Sequence, residues 1–341
     1  MSAPSAAVWP AAAPEVDRVH LVTGATGLLG NNLVRLLLAR GERVRVLVRE
    51  GADPRPLAGL DVEVARGDVR DPRAVAAAVA GVGWVLHAAA GVQVGRRGLE
   101  AMRAVNVTGA VNVARACNAL GARMVQVSSV TALGYGTIAA PADEERPPME
   151  GLRVPYVLTK REGDQLVARE VEAGLDAVFV HPAYMLGPWD WKPSSGRMLL
   201  AVARGRALAA PPGGNDFCHV EDVAAGILTA AERGGRGEHY ILGGEALTYR
   251  AAWALFARVT GGRAPLLTMP APIVRAAGAA GDLWGLVSGG EGDLNSGSAR
   301  MSCLPHHFSD RKARETLGYA PRPAEVAARD AWAWFGEHGY A

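Results

Sequence analysis

Short runs of β-branched and other apolar residues alternate with longer alanine- and leucine-rich stretches through the first half of the chain. RVHLVT (18–23), RVRVLVR (43–49), GWVLHAAA (83–90) and ARMVQVSS (122–129) read as strands. LGNNLVRLLLAR (29–40), DPRAVAAAVAG (71–81) and MRAVNVTGAVNVARACNAL (102–120) read as helices. Gly41, Gly81 and Gly121 fall at or near the helix ends, where a left-handed cap favours glycine. Apolar strands alternating with helices predict an α/β fold, a doubly wound parallel sheet covered on both faces. After Pro182 the rhythm is lost, and prolines, tryptophans and glycines cluster up to about Gly214. A strand and helix return in DFCHVEDVAAGILTAAERG (216–234), followed by a strand in EHYILGG (238–244). From Leu247 the tail is mostly helical. The expected organisation is a disordered leader over 1–17, an α/β unit over 18–182 plus 216–244, and a smaller, mostly helical unit over 183–215 plus 245–341.

At 341 residues and 49% hydrophobic, the chain can bury one large core or two unequal ones. A net charge of +2 without a single-sign block offers nucleic acid no basic footprint. Cys117, Cys218 and Cys303 are far apart and lack zinc or CxxC spacing, which fits core residues in a reducing, cytoplasmic setting and no metal site. The most apolar late segment, PAPIVRAAGAAGDLWGLVSG (270–289), is interrupted by Arg275 and Asp282, so a helix over a pocket is expected and not a membrane span.

Chemistry enters at the first strand-to-helix junction. In TGATGLLGNN, Gly24, Gly27 and Gly30 stand three apart, with Thr26, Leu28 and Leu29 between them. Glycines there permit a tight turn and let backbone N–H groups reach a pyrophosphate at the positive end of a helix. Neither GxxxxGK[ST] nor GxSxG occurs, which removes P-loop NTPases and α/β-hydrolases. In an NAD site the second strand usually ends in an acid for the ribose 2′-OH. Here Val48 holds that position and Arg49 follows, with Arg55 as a second cation, which favours a 2′-phosphate and NADP(H); Glu50 keeps NAD(H) open. In the GDV segment (67–69), Asp68 and Val69 stand where an adenine edge would lie, and Asp68 is read either as an adenine contact or as a helix cap.

The chain has three lysines, and one of them, Lys160, follows Tyr156 by four residues in RVPYVLTKREG (153–163), on one face of an expected helix. With SSVTALG, NVTGAVNV, HPAYMLGP and FCHVEDVA in order around it, the sequence resembles the extended short-chain dehydrogenase/reductases, the NAD-dependent epimerase/dehydratase family. The likeness is greatest to dihydroflavonol-reductase-like and hopanoid-associated epimerase-like members. It implies a Rossmann-type dinucleotide-binding domain, a substrate domain, and Ser129, Tyr156 and Lys160 as a catalytic triad. It also implies that Ala88, Ala89, Ala90 and Pro182 line the cofactor, Lys160 reaching the nicotinamide ribose. A phenol titrates near 10, so lowering it by about three units costs about 4 kcal/mol. A cation at about 4 Å in an effective dielectric near 20 supplies roughly that. Ser128 points away from Ser129 on a regular strand. Asn106 is read as a structural hydrogen bond or a catalytic contact. His87, His181 and His219 abut strands and are expected as satisfied core histidines.

Thr131, Tyr184, Met185, Trp189 and Trp191 make a tentative apolar substrate surface, with packing of the smaller domain as the alternative. Nucleotide-sugar members carry an arginine just before the aromatic of the FCHVEDVA motif; Asn215 and Asp216 precede Phe217 here. The leading expectation is a reductase or dehydrogenase of a small-molecule ketone or secondary alcohol. A nucleotide-sugar 4-epimerase or dehydratase is the enzymatic alternative, and a nucleotide sensor a third, which the retained Tyr–Lys pair disfavours. The resemblance implies a homodimer through a four-helix interface.

Overall fold

The computed structural model describes residues 18–92, 95, 98–149, 151–288, 292 and 294–341; the expected leader over 1–17 lies outside them. The first half contains β1 (Val19–Thr23), α1 (Leu28–Ala39), β2 (Arg43–Val48), β3 (Glu63–Arg66), α2 (Pro72–Val79), β4 (Val82–His87), α3 (Leu99–Arg103), α4 (Ala110–Leu120), β5 (Arg123–Val127), α5 (Pro155–Glu172) and β6 (Ala177–Pro182). The second half contains β7 (Tyr184–Leu186), α6 (Gly196–Ala203), β8 (Ala209–Ala210), β9 (Gly214–His219), α7 (Val220–Arg233), β10 (His239–Leu242), β11 (Glu245–Thr248) and α8 (Tyr249–Thr260). It closes with β12 (Leu267–Thr268), α9 (Ala271–Ser288), α10 (Ser296–Ser302), β13 (Pro305–His306), α11 (Arg311–Leu317) and α12 (Ala324–Glu337).

Seven strands form one parallel sheet in the order β10-β6-β5-β4-β1-β2-β3. The order reverses between β1 and β4, and ligands of such sheets bind at the strands' carboxyl ends beside that reversal. Leu33, Leu37 and Ile227 help fill one layer, from α1 and α7. Val75, Val113 and Val167 fill the other, from α2, α4 and α5. Both faces are therefore covered, as the continuous apolar strands require. Gly41, Gly81 and Gly121 adopt φ of 78°, 74° and 71°, the left-handed conformation expected where helices stop.

Three local expectations are corrected. Asp68 does not cap α2; Asp71 does, accepting from Arg73 N at 2.9 Å, while Asp68 is turned to the Arg70 backbone N–H and guanidinium. The stretch read as one helix over 102–120 widens into a π-helical run over Ala104–Gly109 between α3 and α4. Extra backbone width of this kind recurs at functional sites. Here it lets Asn106 reach the Gly91 backbone and Gly109 take Val69, whose Cγ2 lies 2.8 Å from where a Cβ would stand. Third, β9 does not rejoin the parallel sheet. It pairs with β11, β13 and β7 in a second sheet, and α7 and β10 alone of that unit return to the first. Phe217, Phe256 and Phe335 centre a third core between this sheet and α6, α8 and α12.

Among the described residues no helix is long and apolar enough to cross a membrane. Cys117, Cys218 and Cys303 are unpaired, the first two buried.

One close approach positions everything that follows. Gly163 of α5 faces the π-helical run so closely that a Cβ there would sit 2.5 Å from the Asn106 carbonyl oxygen. Gly163→Ala should therefore separate the helices and destabilise the fold by about 1–3 kcal/mol, read as a lowered urea midpoint.

Candidate active site

Helix α5 starts at Pro155, a residue suited to the first helical turn. Tyr156, Lys160 and Asp164 follow at intervals of four and share one face, directed at the carboxyl ends of β5 and β6. Lys160 is 5% exposed, and its Nζ donates to the Val127 carbonyl at 2.9 Å. Burial lowers it to about 8, and the Asp164 carboxylate raises it part of the way back. Asp164 is itself buried. Gln126 Nε2 donates to it at 3.3 Å and the Ser128 hydroxyl closely caps its other oxygen. Desolvation still pushes this carboxyl above its ordinary range, against the pull of Ser128 and Lys160.

Ser128 and Ser129 do take different partners, as alternation on a strand requires. Ser128 serves Asp164, whereas Ser129 Oγ accepts from Thr131 N and Oγ1 at 3.3 and 3.0 Å and lies beside the Tyr156 hydroxyl. Tyr156 is half-buried and packs with Met185 on the first core. The lowered phenol expected from Lys160 is not found. Burial pushes Tyr156 up, Ser129 pulls it part of the way down, and the Asp164 charge adds to the rise. The physical reason is that the lysine's charge is directed into Val127 and Asp164 and is weakened by its own desolvation.

Asn106 is structural: its side chain closes both Gly91 backbone bonds, at 2.7 and 3.0 Å, and donates to Thr159 Oγ1 on α5 at 3.0 Å. The three expected core histidines are satisfied. His87 meets Thr23 Oγ1 at 2.8 Å, and burial, then Lys160, lower it to about 3. His181 meets the Ser129 carbonyl and His239, and burial first lowers it to about 4. His219 caps Glu221 N and reaches Asp330.

The glycine turn has the shape a dinucleotide needs. Gly24 has φ of 71°, and a Cβ there would collide with the Ala88 and Ala89 backbone at 2.7 Å; a Cβ on Gly30 would come within 2.2 Å of the Gly24 carbonyl oxygen. Gly27 caps α1 without a side-chain bond, which leaves first-turn amides around Leu28, Leu29 and Gly30 to serve an anion. Thr26 is half-buried in the turn, and Ala89 N donates to Thr23 Oγ1, tying Ala88–Ala90 to β1. Asp68, bonded to Arg70, and buried Val69 follow β3; Arg49, exposed after β2, holds the Asp68 carboxyl down along with Arg70. Arg55 instead makes a bidentate pair with Asp53 and lies 5.5 Å from the Trp191 ring. Pro182 ends β6 and is buried.

Of the tentative substrate residues, Thr131 and Met185 lie with Ser129 and Tyr156, and the other three pack elsewhere. Tyr184 donates to the Ser195 carbonyl at 2.7 Å in the third core. Trp189 and Trp191 pack on Trp334 and His338, and the Arg35 guanidinium sits 3.2 Å from the Trp189 ring centre. The packing alternative describes these two tryptophans. Sequence reasoning missed Asp164. It was findable, standing one turn after Lys160 on the same helix. No group of acids, histidines and cysteines suited to a metal occurs among the described residues.

Residues 20–243 match the model of the NAD dependent epimerase/dehydratase family. Over 94% of its length this chain is 36% identical to the sterol demethylase protein B of Methylococcus capsulatus, covering 98% of that protein. It is 32% identical to a putative dihydroflavonol 4-reductase of Synechocystis sp., covering 94% of this chain and 95% of that one. It is also 32% identical to the 4-hydroxy-2-methyl-3-oxo-4-farnesyl-3,4-dihydroquinoline-1-oxide ketoreductase of Stigmatella aurantiaca, over 91% and 94% of the two chains. The crystal structure of gox2253 superposes with a TM-score of 0.84 at 37% identity, over 95% of this chain and 99% of that one.

Lys160 should titrate near pH 8 in the cofactor-free protein, a value readable by NMR of labelled lysine because Lys192 and Lys312 are the other two in the chain. Asp164→Asn removes the charge that raises it, so the Lys160 midpoint should fall below that of the parent. Between about 8 and the ordinary 10.5 the unfolded chain holds more protons on this lysine than the folded one. Its contribution to stability therefore rises with pH across that window, and Lys160→Met should flatten the rise in urea titrations.

Proposed function

This chain belongs to the NAD dependent epimerase/dehydratase family of extended short-chain dehydrogenase/reductases, and from that premise we propose that it reduces a ketone, or oxidises the matching secondary alcohol, on an apolar small molecule. The observation that carries the reading is the single face of α5 on which Tyr156 stands beside Ser129 and one turn from a buried Lys160. Gly24, Gly27 and Gly30 would hold the pyrophosphate of a nicotinamide dinucleotide, Asp68 and Val69 its adenine, and Lys160 its ribose. When bound, that cofactor supplies or accepts the hydride.

The protein's own part is proton transfer. Tyr156 Oη donates a proton to the carbonyl oxygen as it becomes an alkoxide, and Ser129 Oγ holds that oxygen by a hydrogen bond. Lys160, charged below about pH 8, stabilises the phenolate left behind. Desolvation, which raises the phenol, keeps Tyr156 protonated and therefore ready for the reductive direction. Arg49, the exposed cation after β2, supports NADP(H) over NAD(H). Sterol, dihydroflavonol and dihydroquinoline, the ring systems in the relatives' names, support a flat apolar substrate.

A nucleotide-sugar epimerase is the second reading, favoured by the family model itself. Against it, the residue before Phe217 is a buried Asp216 whose oxygens take His307 Nδ1 and Phe308 N at 2.8 and 2.7 Å, so no arginine stands there to grip a diphosphate. Pairing of two copies through α4 and α5 completes the proposal, and light scattering reads it directly.

NADPH consumption against a panel of cyclic ketones tests the reduction. Tyr156→Phe should lower kcat about a hundred- to ten-thousand-fold with the KM for NADPH little changed. Equal rates in parent and variant, or UDP-sugar interconversion with copurifying NAD, would discard the reductase. Arg49→Ala should raise the KM for NADPH about tenfold and leave that for NADH within about twofold, since one charged hydrogen bond to a phosphate is at stake.

A further inference from the structure

Helix α9 is built inside out. Val274, Gly278 and Gly285 face the body of the protein, and they are mostly small. A Cβ on Gly278 would stand 2.5 Å from that of Ala299, and one on Gly281 would meet the Leu294 carbonyl at 1.9 Å. The helix is thus pressed backbone-close onto α10 and the turn before it. Its large side chains point the other way: Ile273, Leu283, Trp284, Leu286 and Val287 are all exposed, Trp284 by 72% and Val287 by 77%. A helix at a water-facing surface normally does the reverse. Just before β12, Leu266 is also exposed, by 78%, and its N–H bonds back to the Leu208 carbonyl. Contiguous apolar surface of this extent marks a binding face.

Charge decides what covers it. Arg206 and Arg263 precede β8 and β12, Arg275 lies on α9 itself and Arg300 on α10, and all four are exposed. The one acid of these elements among the described residues, Asp282, accepts from Ser296 N at 3.1 Å; Glu291 and Asp293 lie outside the described residues. Two copies meeting through this face would bring like arginines together around a two-fold axis, at an electrostatic cost. An anionic bilayer surface instead offers acyl chains to the leucines, an interfacial layer to Trp284 and phosphates to the arginines.

We propose that α9 and the adjoining Leu266 ribbon form a peripheral docking surface for anionic lipid bilayers, the 18-residue helix lying along the interface for about 27 Å. Met301 on α10 and Leu304 just after it pack against the first core, which ties the helix under α9 to the body of the protein. Docking does not depend on the reductase reading, because it is measured without substrate or cofactor.

The test is co-sedimentation of the full chain with vesicles of phosphatidylcholine alone and of phosphatidylcholine mixed with phosphatidylglycerol. The parent should bind the anionic vesicles, less so as salt rises. Trp284→Asp and Val287→Asp, tested separately, should each weaken binding about tenfold or more, and Arg275→Glu should weaken binding to the anionic vesicles alone. Both apolar positions are exposed, so thermal melting should match the parent; if one variant melts early, the other decides. Failure of the parent to bind either vesicle overturns the proposal, as does undiminished binding by a folded Trp284→Asp or Val287→Asp. A parent dimer that Trp284→Asp converts to monomer, without vesicle binding, assigns the face to a second copy instead.

Discussion

An ammonium buried at the carboxyl end of a parallel sheet is the constraint that organises this molecule. Taking Lys160 out of water costs several kcal/mol unless its charge is met at close range. Val127 meets it with a carbonyl at 2.9 Å, and Asp164 with a carboxylate one turn along the same helix. That carboxylate is in turn buried, and Gln126 and Ser128 satisfy it from β5 and the residue after it. Gln126 and Ser128, two apart on the extended chain, thus both serve Asp164, whereas Ser129 serves Tyr156, and the pleat explains the division.

Holding α5 that close to β5 demands help from the opposite side. Gly163 leaves room for the Asn106 carbonyl, and the π-helical run delivers the Asn106 side chain to Thr159 and to Gly91 at once. The loop after β4, which carries the alanines beside the glycine turn, is therefore tied to the helix that carries Tyr156. The crevice at the glycine turn and the α5 face that carries Tyr156 and Lys160 are thereby linked, with Thr23 and His87 as the bond between β1 and β4 at the crevice itself.

The direction of the Tyr156 shift refines the chemistry. Desolvation holds this phenol up, and Lys160 is matched to its own neighbours before it is matched to the phenol. On the proposed reading, a phenol held protonated in this way favours proton donation, the reductive direction. The second sheet shows the same economy: buried Asp216 is bonded to His307 Nδ1 and to the Phe308 backbone N–H, and no arginine stands at the position where a diphosphate grip was considered.

By itself the sequence determined what depends on short-range periodicity. Most strands and helices of the first 182 residues, the glycine turn, the capping glycines and the shared face of Tyr156 and Lys160 follow from spacings of two, three and four along the chain; the π-helical run inside 102–120 does not. Asp164 belonged to that legible set. Tertiary structure alone decided the rest, because those features depend on residues far apart in sequence. Strand β9 looked like a member of the first sheet, yet its register with β11 and β13 placed it in the second. Trp189 and Trp191 looked like a pocket, yet Trp334 and His338, some 145 residues later, filled the space beside them. The phenol's acidity depended on how desolvation, the Ser129 hydrogen bond and the Asp164 charge balanced in space, and no spacing along a chain encodes that balance.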